Sequence, residues 1–398
     1  MLRAPLLAVV LVTGFFAYIN GVQLAFVVVY AAVLVILLAL IWSWSNARGL
    51  SFSRQASGDT QTVGENFVQR FTLTNGSRLP ISLLEVRDLA GFPGYRASCG
   101  LSMGRRGQIS WESDVRLLAR GRYELGPTEV RLADPFGLFP RTVRFGSQGS
   151  VVVYPAVYPM PDLAFSGARA GLDSDRGGRP RDLPPSASGI REHDPSDGIN
   201  RIHWISTARK GRLMSRTFDA EEGSDLLVAL DLRRGLHHGS APESSLEYAV
   251  TMAASVVHGA LRHGRAVALL ATDRALTSLG PGRGAPQQQL IMETLALAQA
   301  DGQVSLGEVL RRHLPAWRSR GNVVVVTSDP SGEWVEAVAA CSQAGHRAVA
   351  VFIDALSFAH QPSITAIPAQ WRLILDIWTV RQGDDLARLD PIVGRAVV

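Results

Sequence analysis

Four aspartates mark where this chain could do chemistry. Asp231, Asp273, Asp329 and Asp354 each stand at or just beyond the end of a continuous apolar run. If those runs are neighbouring strands, the carboxylates gather at one edge and could hold a hard cation such as magnesium. The competing assignment is that each aspartate caps the helix that follows or closes a turn. A second polar concentration lies between residues 189 and 218. There Arg191, Arg201, Arg209, Lys210, Arg212 and Arg216 are interleaved with Glu192, Asp194 and Asp197, and Asp219 follows. Mixed charge of this kind suits a surface that locks the segment onto its neighbouring domain or meets a protein partner. The acids that balance the arginines argue against a nucleic-acid patch, so no nucleic acid is expected. Trp204, close to Ile202 and Ile205, is expected in a core.

Other chemical signals fail on spacing. His237-His238 has no third ligand at a metal-binding interval and suggests a solvated turn. Gly280-Pro281-Gly282-Arg283-Gly284 lacks the Lys-Ser/Thr ending of a phosphate loop and is expected to be a flexible loop. No nucleophile elbow is present. The residues therefore point to no catalytic constellation and no cofactor.

The elements that must position these groups follow from hydrophobic patterning. Leu226–Leu230, Ala266–Ala271, Val323–Val326, Ala348–Ile353 and Leu373–Trp378 are continuous apolar runs, as in parallel strands covered on both faces. Between the first two, Leu246, Ala249, Val250, Ala253, Val257, Ala260 and Leu261 share one helical face. Ser240 and Glu243 form a capping-box pattern at its start and Gly264 follows its end. Further helices are expected over 287–300 and 333–344. This is a doubly wound α/β domain over residues 223–385, with a tail at 386–398.

Upstream, residues 45–154 carry short strand-like pieces separated by Gly, Pro and Asn: Phe67–Leu73, Ile81–Val86, Ile109–Val115, Thr128–Leu132 and Val151–Tyr154. That spacing predicts a small all-β, sandwich-like domain. Gly and Pro fill 13 of the 46 positions from 155 to 200, so residues 155–222 are expected to hold a linker together with the mixed-charge segment.

The chain has 398 residues, 46% hydrophobic and 19% charged, with a net charge of +5. The average hides residues 5–44, which contain no charged side chain and exclude a wholly soluble protein. Forty residues of helix cover about 60 Å, two crossings of a ~30 Å hydrocarbon core. Asn20-Gly21 marks a turn between helices over 4–19 and 22–44, giving a transmembrane hairpin over residues 1–44 that meets the lipid bilayer through residues 4–44. A cleaved signal peptide followed by an anchor is the rival, but no small-x-small cleavage site ends the first run. Arg3 flanks one end, Arg48 and Arg54 the other, and the turn is uncharged. The positive-inside rule then places both termini in the cytoplasm, as a multi-pass protein of the inner membrane. Cys99 and Cys341 fall in different predicted domains, so nothing requires an oxidising compartment.

Three motifs in order carry a resemblance. The first is Gly121-Arg122-Tyr123-x-Leu125-Gly126-Pro127 and the second is Asp134-Pro135-Phe136-Gly137-Leu138-Phe139. The third runs from Gly189-Ile190-Arg191-Glu192-His193-Asp194-Pro195-Ser196-Asp197, through Arg201-Ile202-His203-Trp204 and Ser206-Thr207-Ala208-Arg209, to Leu213-Met214-Ser215-Arg216-Thr217-Phe218. Together they resemble the bacterial domain-of-unknown-function family numbered fifty-eight, over essentially the whole chain. The resemblance implies a von Willebrand factor type A-like domain, a fold that often carries a metal site led by Asp-x-Ser-x-Ser. Here the matching stretch is Asp231-Leu232-Arg233-Arg234-Gly235, so Asp231 fits but Arg233 and Gly235 replace the hydroxyls. The resemblance aligns Asp329 with the later acid, and no threonine can be assigned. A guanidinium repels a cation, so metal binding is not expected, and Asp231 and Asp329 remain as candidates of a degenerate site. Arg233 and Arg234 would instead meet a partner's carboxylate or close the site against Asp329. Relatives of this family are commonly encoded beside MoxR-type AAA+ ATPases and transglutaminase-like membrane proteins. The resemblance thus implies a non-enzymatic, membrane-anchored adaptor in assembly or envelope-related processes, with Arg191, Asp197, Arg201, His203, Trp204, Arg209, Arg216, Arg233 and Arg234 as partner-binding candidates. The alternative is a divalent-metal-dependent binding module or hydrolase using the strand-end carboxylates.

Overall fold

A computed structural model describes residues 3–21, 23–95, 97–147, 149–160, 187–192, 204–218, 225–317, 321–343, 347–359, 368, 371 and 375–387. The chain divides into two units, Met1–Tyr154 and Pro155–Val398.

The first unit opens with helices α1 (Arg3–Asn20) and α2 (Gln23–Gly49), which pack against each other. Among the described residues α2 alone is long and apolar enough to cross a bilayer. It runs five residues beyond the expected end at residue 44, because its last turns are bonded into the sheet domain. Ser43 Oγ donates to the Phe139 carbonyl at 2.6 Å, and Trp42 Nε1 and Asn46 Nδ2 both donate to the Pro80 carbonyl at 3.0 and 3.1 Å. Asn46 Oδ1 accepts from Ser77 Oγ at 2.5 Å. Ser43 and Asn46 are fully buried, so these bonds form away from competing water.

The sheet domain comprises β1 (Leu50–Ala56), β2 (Thr60–Thr62), β3 (Asn66–Asn75), β4 (Ile81–Asp88), β5 (Ala97–Met103), β6 (Gln108–Arg116), β7 (Gly121–Glu124), β8 (Thr128–Leu132), β9 (Arg141–Phe145) and β10 (Ser150–Tyr154). They form sheets in the orders β1-β3-β6, β5-β4-β8-β9 and β2-β10-β7. Alternation along β3 buries Phe67, Phe71 and Leu73, the period-2 signal of a strand with one covered face. Phe52, Phe71, Leu73, Ile81, Leu84, Val130 and Leu132 interlock between the first two sheets as one core. Fully burying each such side chain contributes about 1.5–3 kcal/mol. Arg54 and Asp88 form a buried ion pair in this domain, with Thr128 Oγ1 and the Tyr95 hydroxyl also on the Asp88 carboxylate at 3.0 and 2.9 Å.

The second unit holds β11 (Ala187–Glu192), α3 (Trp204–Lys210) and β12 (Met214–Phe218), with β11 and β12 paired antiparallel. Part of the segment expected as linker is therefore a two-stranded ribbon. Gly171–Pro185, the most apolar-poor stretch, lies outside the described residues. Then follow β13 (Leu226–Leu230), β14 (Gly239–Ser240), β15 (Glu243–Ser244), α4 (Ser245–Arg262), β16 (Val267–Ala271), β17 (Thr277–Gly282), α5 (Gly284–Leu297), α6 (Leu306–His313), β18 (Asn322–Thr327), α7 (Glu333–Gln343), β19 (Arg347–Ile353) and β20 (Asp376–Val380). Six of these strands form a mixed sheet in the order β17-β16-β13-β18-β19-β20, parallel except for the edge strand β17. Leu227, Ala229, Val323 and Val325 face a cluster built by α6 and α7. α4 also packs against the central strands, and every residue of β13 and β16 is buried.

Two expectations are corrected here. Residues 280–284 are not a flexible loop: Gly280–Gly282 complete β17, Gly282 pairs with Val267, and Gly284 opens α5. The cap of α4 is Ser244, whose Oγ accepts from Glu247 N at 3.2 Å, not Ser240 with Glu243. Pro242 disfavours helical geometry at Ala241 and moves the start four residues on.

Because Asn46 satisfies Ser77 and shares the Pro80 carbonyl, Asn46→Ala is expected to cost about 1–3 kcal/mol. The check is urea unfolding of the detergent-solubilised full chain, and an unchanged midpoint contradicts the docked helix end.

Candidate functional site

Counted along the chain, the six-stranded sheet has the order 3-2-1-4-5-6, and its switch point lies between β13 and β18. Ligand sites in open α/β sheets form beyond the carboxyl ends of the strands at that point. Asp231 follows β13 there and Asp329 follows β18.

Asp231 is fully buried. Its Oδ1 accepts from the Arg233 backbone N–H and from Thr272 Oγ1, both at 3.1 Å, and its Oδ2 accepts from Thr327 Oγ1 at 2.9 Å. Burial raises its pKa above the ordinary 3.8, while the Thr327 bond, the Arg233 N–H, the Arg233 charge and the Thr272 bond pull the other way. Neither threonine could be assigned to the site from sequence, since a single hydroxyl at a strand end has no periodic signature. Thr272 Oγ1 also accepts from Leu232 N at 2.8 Å, and Thr327 Oγ1 accepts from Asp329 N at 3.0 Å. The two hydroxyls thus relay the Asp231 carboxylate into both flanking loops.

Asp329 is paired with Arg233, Nη2 to Oδ2 at 2.7 Å, with the carboxylate side chain only 4% exposed. Of the two alternatives for Arg233, closing the site is the one this geometry contains. The Asp329 loop is braced from behind. Asp329 Oδ1 accepts from Ser331 N at 2.9 Å, and its carbonyl accepts from Nε1 of the buried Trp334 at 3.0 Å. Trp334 meets Trp371 edge to face at 5.5 Å. Gly302 sets the other wall, where its N–H donates to the Leu232 carbonyl and its own carbonyl accepts from Arg234 N. A Cβ at Gly302 would lie 1.6 Å from the Thr272 carbonyl oxygen, so only glycine fits.

The other two strand-end acids stand apart from this pair, and Asp273 closes a turn. Asp273 accepts from Thr277 N and Oγ1 at 2.8 and 2.7 Å. Asp354 is buried beside Arg381 at 3.7 Å, and its carbonyl accepts from Ser357. His237 departs from the expected solvated turn. It is half-buried, with Nε2 3.1 Å from the Asp231 carbonyl and Nδ1 3.3 Å from Ser245 Oγ, and it ties this loop to the start of α4.

The residues do not fit a divalent cation. Both Asp231 oxygens already accept protein donors, and a guanidinium occupies the Asp329 carboxylate. Among the described residues no three His, Cys, Asp or Glu side chains gather as a metal site.

Of the remaining candidates, Arg234 joins this cluster through its backbone N–H on the Gly302 carbonyl. Arg234 is exposed, and so is Arg274, whose N–H donates to Oδ1 of Asp301, the residue before Gly302. Arg191 and Arg216 lie at neighbouring register positions of the β11–β12 ribbon, where Arg191 faces Ser215 and Ile190 faces Arg216. Arg209 is exposed on α3. Trp204 is 64% exposed, contrary to the expected core position, because no residue of the seven-residue α3 is buried. Asp197, Arg201 and His203 lie outside the described residues.

A second concavity of about 560 Å³ lies in the sandwich, lined by Asp88, Tyr95, Cys99, Trp111, Ser113 and Thr128 among others. Burial above all pushes the Tyr95 phenol up to about 12, so at neutral pH it is a hydrogen-bond donor to Asp88 and not a nucleophile.

The buried pair generates two predictions. Arg233→Gln strands the Asp329 carboxylate and is expected to cost about 1–3 kcal/mol of stability, read by thermal or urea unfolding. For Asp231 the folded state favours the proton. Its stabilising contribution is present below pH 3.8 and is lost as pH rises towards the raised value. Asp231→Asn is expected to flatten that decline. Parallel slopes in the wild type and the variant, measured as stability against pH, contradict it.

The sequence profile described as "Protein of unknown function DUF58" matches residues 189–357, which include the ribbon and both site aspartates. The uncharacterised protein YeaD of Bacillus subtilis (strain 168) is 23% identical over 216 residues, 53% of this chain and 52% of its own length, so the chain spans about half of that relative. Among solved structures, the CARDB domain of the PF1109 protein from Pyrococcus furiosus is 14% identical over 26% of this chain and 86% of that one, at a TM-score of 0.20. The C-terminal domain of wzt is 11% identical over 27% and 75%, at 0.22. Likenesses this low carry no structural argument. On the profile match, residues 189–357 form a region of the DUF58 family of proteins of unknown function, and the similarity to YeaD supports that assignment.

Proposed function

We propose that this protein is a membrane-anchored docking protein, without catalytic chemistry of its own, whose α/β domain meets a protein partner at the strand-end face. The observation that carries this reading is the Arg233–Asp329 pair over a fully satisfied Asp231. It leaves the edge rigid and closed to a cation while Arg234 and Arg274 remain exposed on it. A fixed basic edge suits an acidic surface on a partner, where guanidinium groups form bidentate bonds with carboxylates.

The strand order 3-2-1-4-5-6 with one antiparallel edge supports a von Willebrand factor type A-like assignment for this domain. The apolar α1, packed on α2, supports a second, tilted or thinned crossing and hence a hairpin. Arg3 and Arg48 at its outer ends favour both termini on the cytoplasmic side. The resemblance of the three sequence motifs nominates a MoxR-type AAA+ ATPase as the partner.

Affinity capture of the full-length protein from its membrane is expected to retain such an ATPase. Arg234→Glu with Arg274→Glu is expected to reduce the retained ATPase at least about tenfold, the effect of losing some 1.4 kcal/mol of binding. Unchanged association with the double variant contradicts the strand-end face, and no ATPase in the wild-type capture contradicts the partner class.

A further inference from the structure

The sandwich has two unlike ends. β1 starts beside α2, and the strand registers place three loops at that same end: residues 76–80, 104–107 and 133–140. Each is tied to the helix or to its nearest neighbour. Pro80 accepts from Trp42 and Asn46, Phe139 accepts from Ser43, and Arg106 N donates to the carbonyl of Ser77, itself bonded to Asn46.

These loops concentrate positive charge. Arg48, Arg78, Arg105, Arg106 and Arg141 are all exposed, and none forms an ion pair among the described residues. The one acid there is Asp134. It is buried, and its carboxylate accepts the N–H groups of Phe136, Leu138 and Phe139 at 3.0, 3.2 and 2.6 Å. That cradle makes a tight turn with Phe136 on its outside, 63% exposed. Leu83, just before the Leu84–Leu132 pair that leads into the same turn, is 67% exposed. The opposite end of the sandwich instead exposes Asp59, Glu65 and Glu124 among its arginines.

Height decides what this end meets. Some 20 residues of helix span the hydrocarbon, which from Gln23 reaches Trp42 and Trp44, the ring types that settle at headgroup level. Ser43 and Asn46, to which loops 76–80 and 133–140 are bonded directly and loop 104–107 through Ser77, lie at that level or within one turn beyond it.

We infer that the helix-bearing end of the sandwich lies on the bilayer, with Phe136 and Leu83 in the interfacial zone and the arginines of the three loops on anionic lipid headgroups. The inference rests on α2 spanning the membrane. An exposed aromatic beside a basic cluster gains both apolar burial and attraction to a negative surface.

The test uses the full-length chain in vesicles containing phosphatidylglycerol and nitroxide-labelled lipid. An environment-sensitive dye is placed at Phe136→Cys, Leu83→Cys, Leu34→Cys or Ser57→Cys, each in a Cys99→Ser, Cys341→Ser background. Ser57 sits at the far end of β1 and Leu34 within α2. Quenching is expected at 34, 83 and 136, several-fold above that at 57, and at 83 and 136 it should weaken in purely zwitterionic vesicles. Quenching at 34 with none at 83 and 136, or equal quenching at 57 and 136, overturns the surface contact while leaving the span intact. Quenching at 83 and 136 that ignores lipid charge overturns the role of the arginines. Absence of quenching at 34 removes the span itself, and the inference with it.

Discussion

A carboxylate with no access to water must find all its partners inside the protein, and Asp231 is such a group. Two threonines, one backbone N–H and the neighbouring charge of Arg233 supply them. Each of those donors comes from a different strand or loop, so satisfying one side chain fixes the ends of β13, β16 and β18 relative to one another. The price of burying the charge is shared by everything around it: Thr327 turns the Asp329 loop, Trp334 braces it, and Arg233 closes over it. Arg234 and Arg274 remain exposed there, and no carboxylate oxygen of Asp231 is left without a protein donor.

Much of this architecture was legible in the chain itself. Runs such as Leu226–Leu230 and Val323–Val326 could only be strands covered on both faces, and β13 begins and ends where its apolar run does. The edge strand β17 escaped because an edge buries only one side: Thr-Ser-Leu-Gly-Pro-Gly has neither a continuous apolar run nor a β-branched majority. The start of α4 was ambiguous because Ser240-x-x-Glu243 and Ser244-x-x-Glu247 carry the same pattern, and only the constraint imposed by Pro242 chooses between them.

The site was legible in part. Asp231, Arg233 and Asp329 follow from strand ends and from the replacement of hydroxyls after Asp231. Thr272 and Thr327 do not, because their meaning depends on which strands become neighbours, and that is a property of topology and not of spacing. His237 illustrates the same limit. Its ring is held by a backbone carbonyl and a helix-start serine that no local pattern links to it. At the other end of the chain, continuous apolar composition located the candidate membrane span but hid its continuation to Gly49, since Ser43 and Asn46 look like surface residues until their partners Phe139, Pro80 and Ser77 are known.

The strand-end edge is closed by its own side chains and not held open for a cation. Isothermal calorimetric titration of the full-length protein with magnesium or manganese tests it most directly. The account predicts no saturable heat at millimolar ion, with Arg233 in place over Asp329. A saturable, stoichiometric binding isotherm that Asp231→Asn or Asp329→Asn abolishes would contradict it.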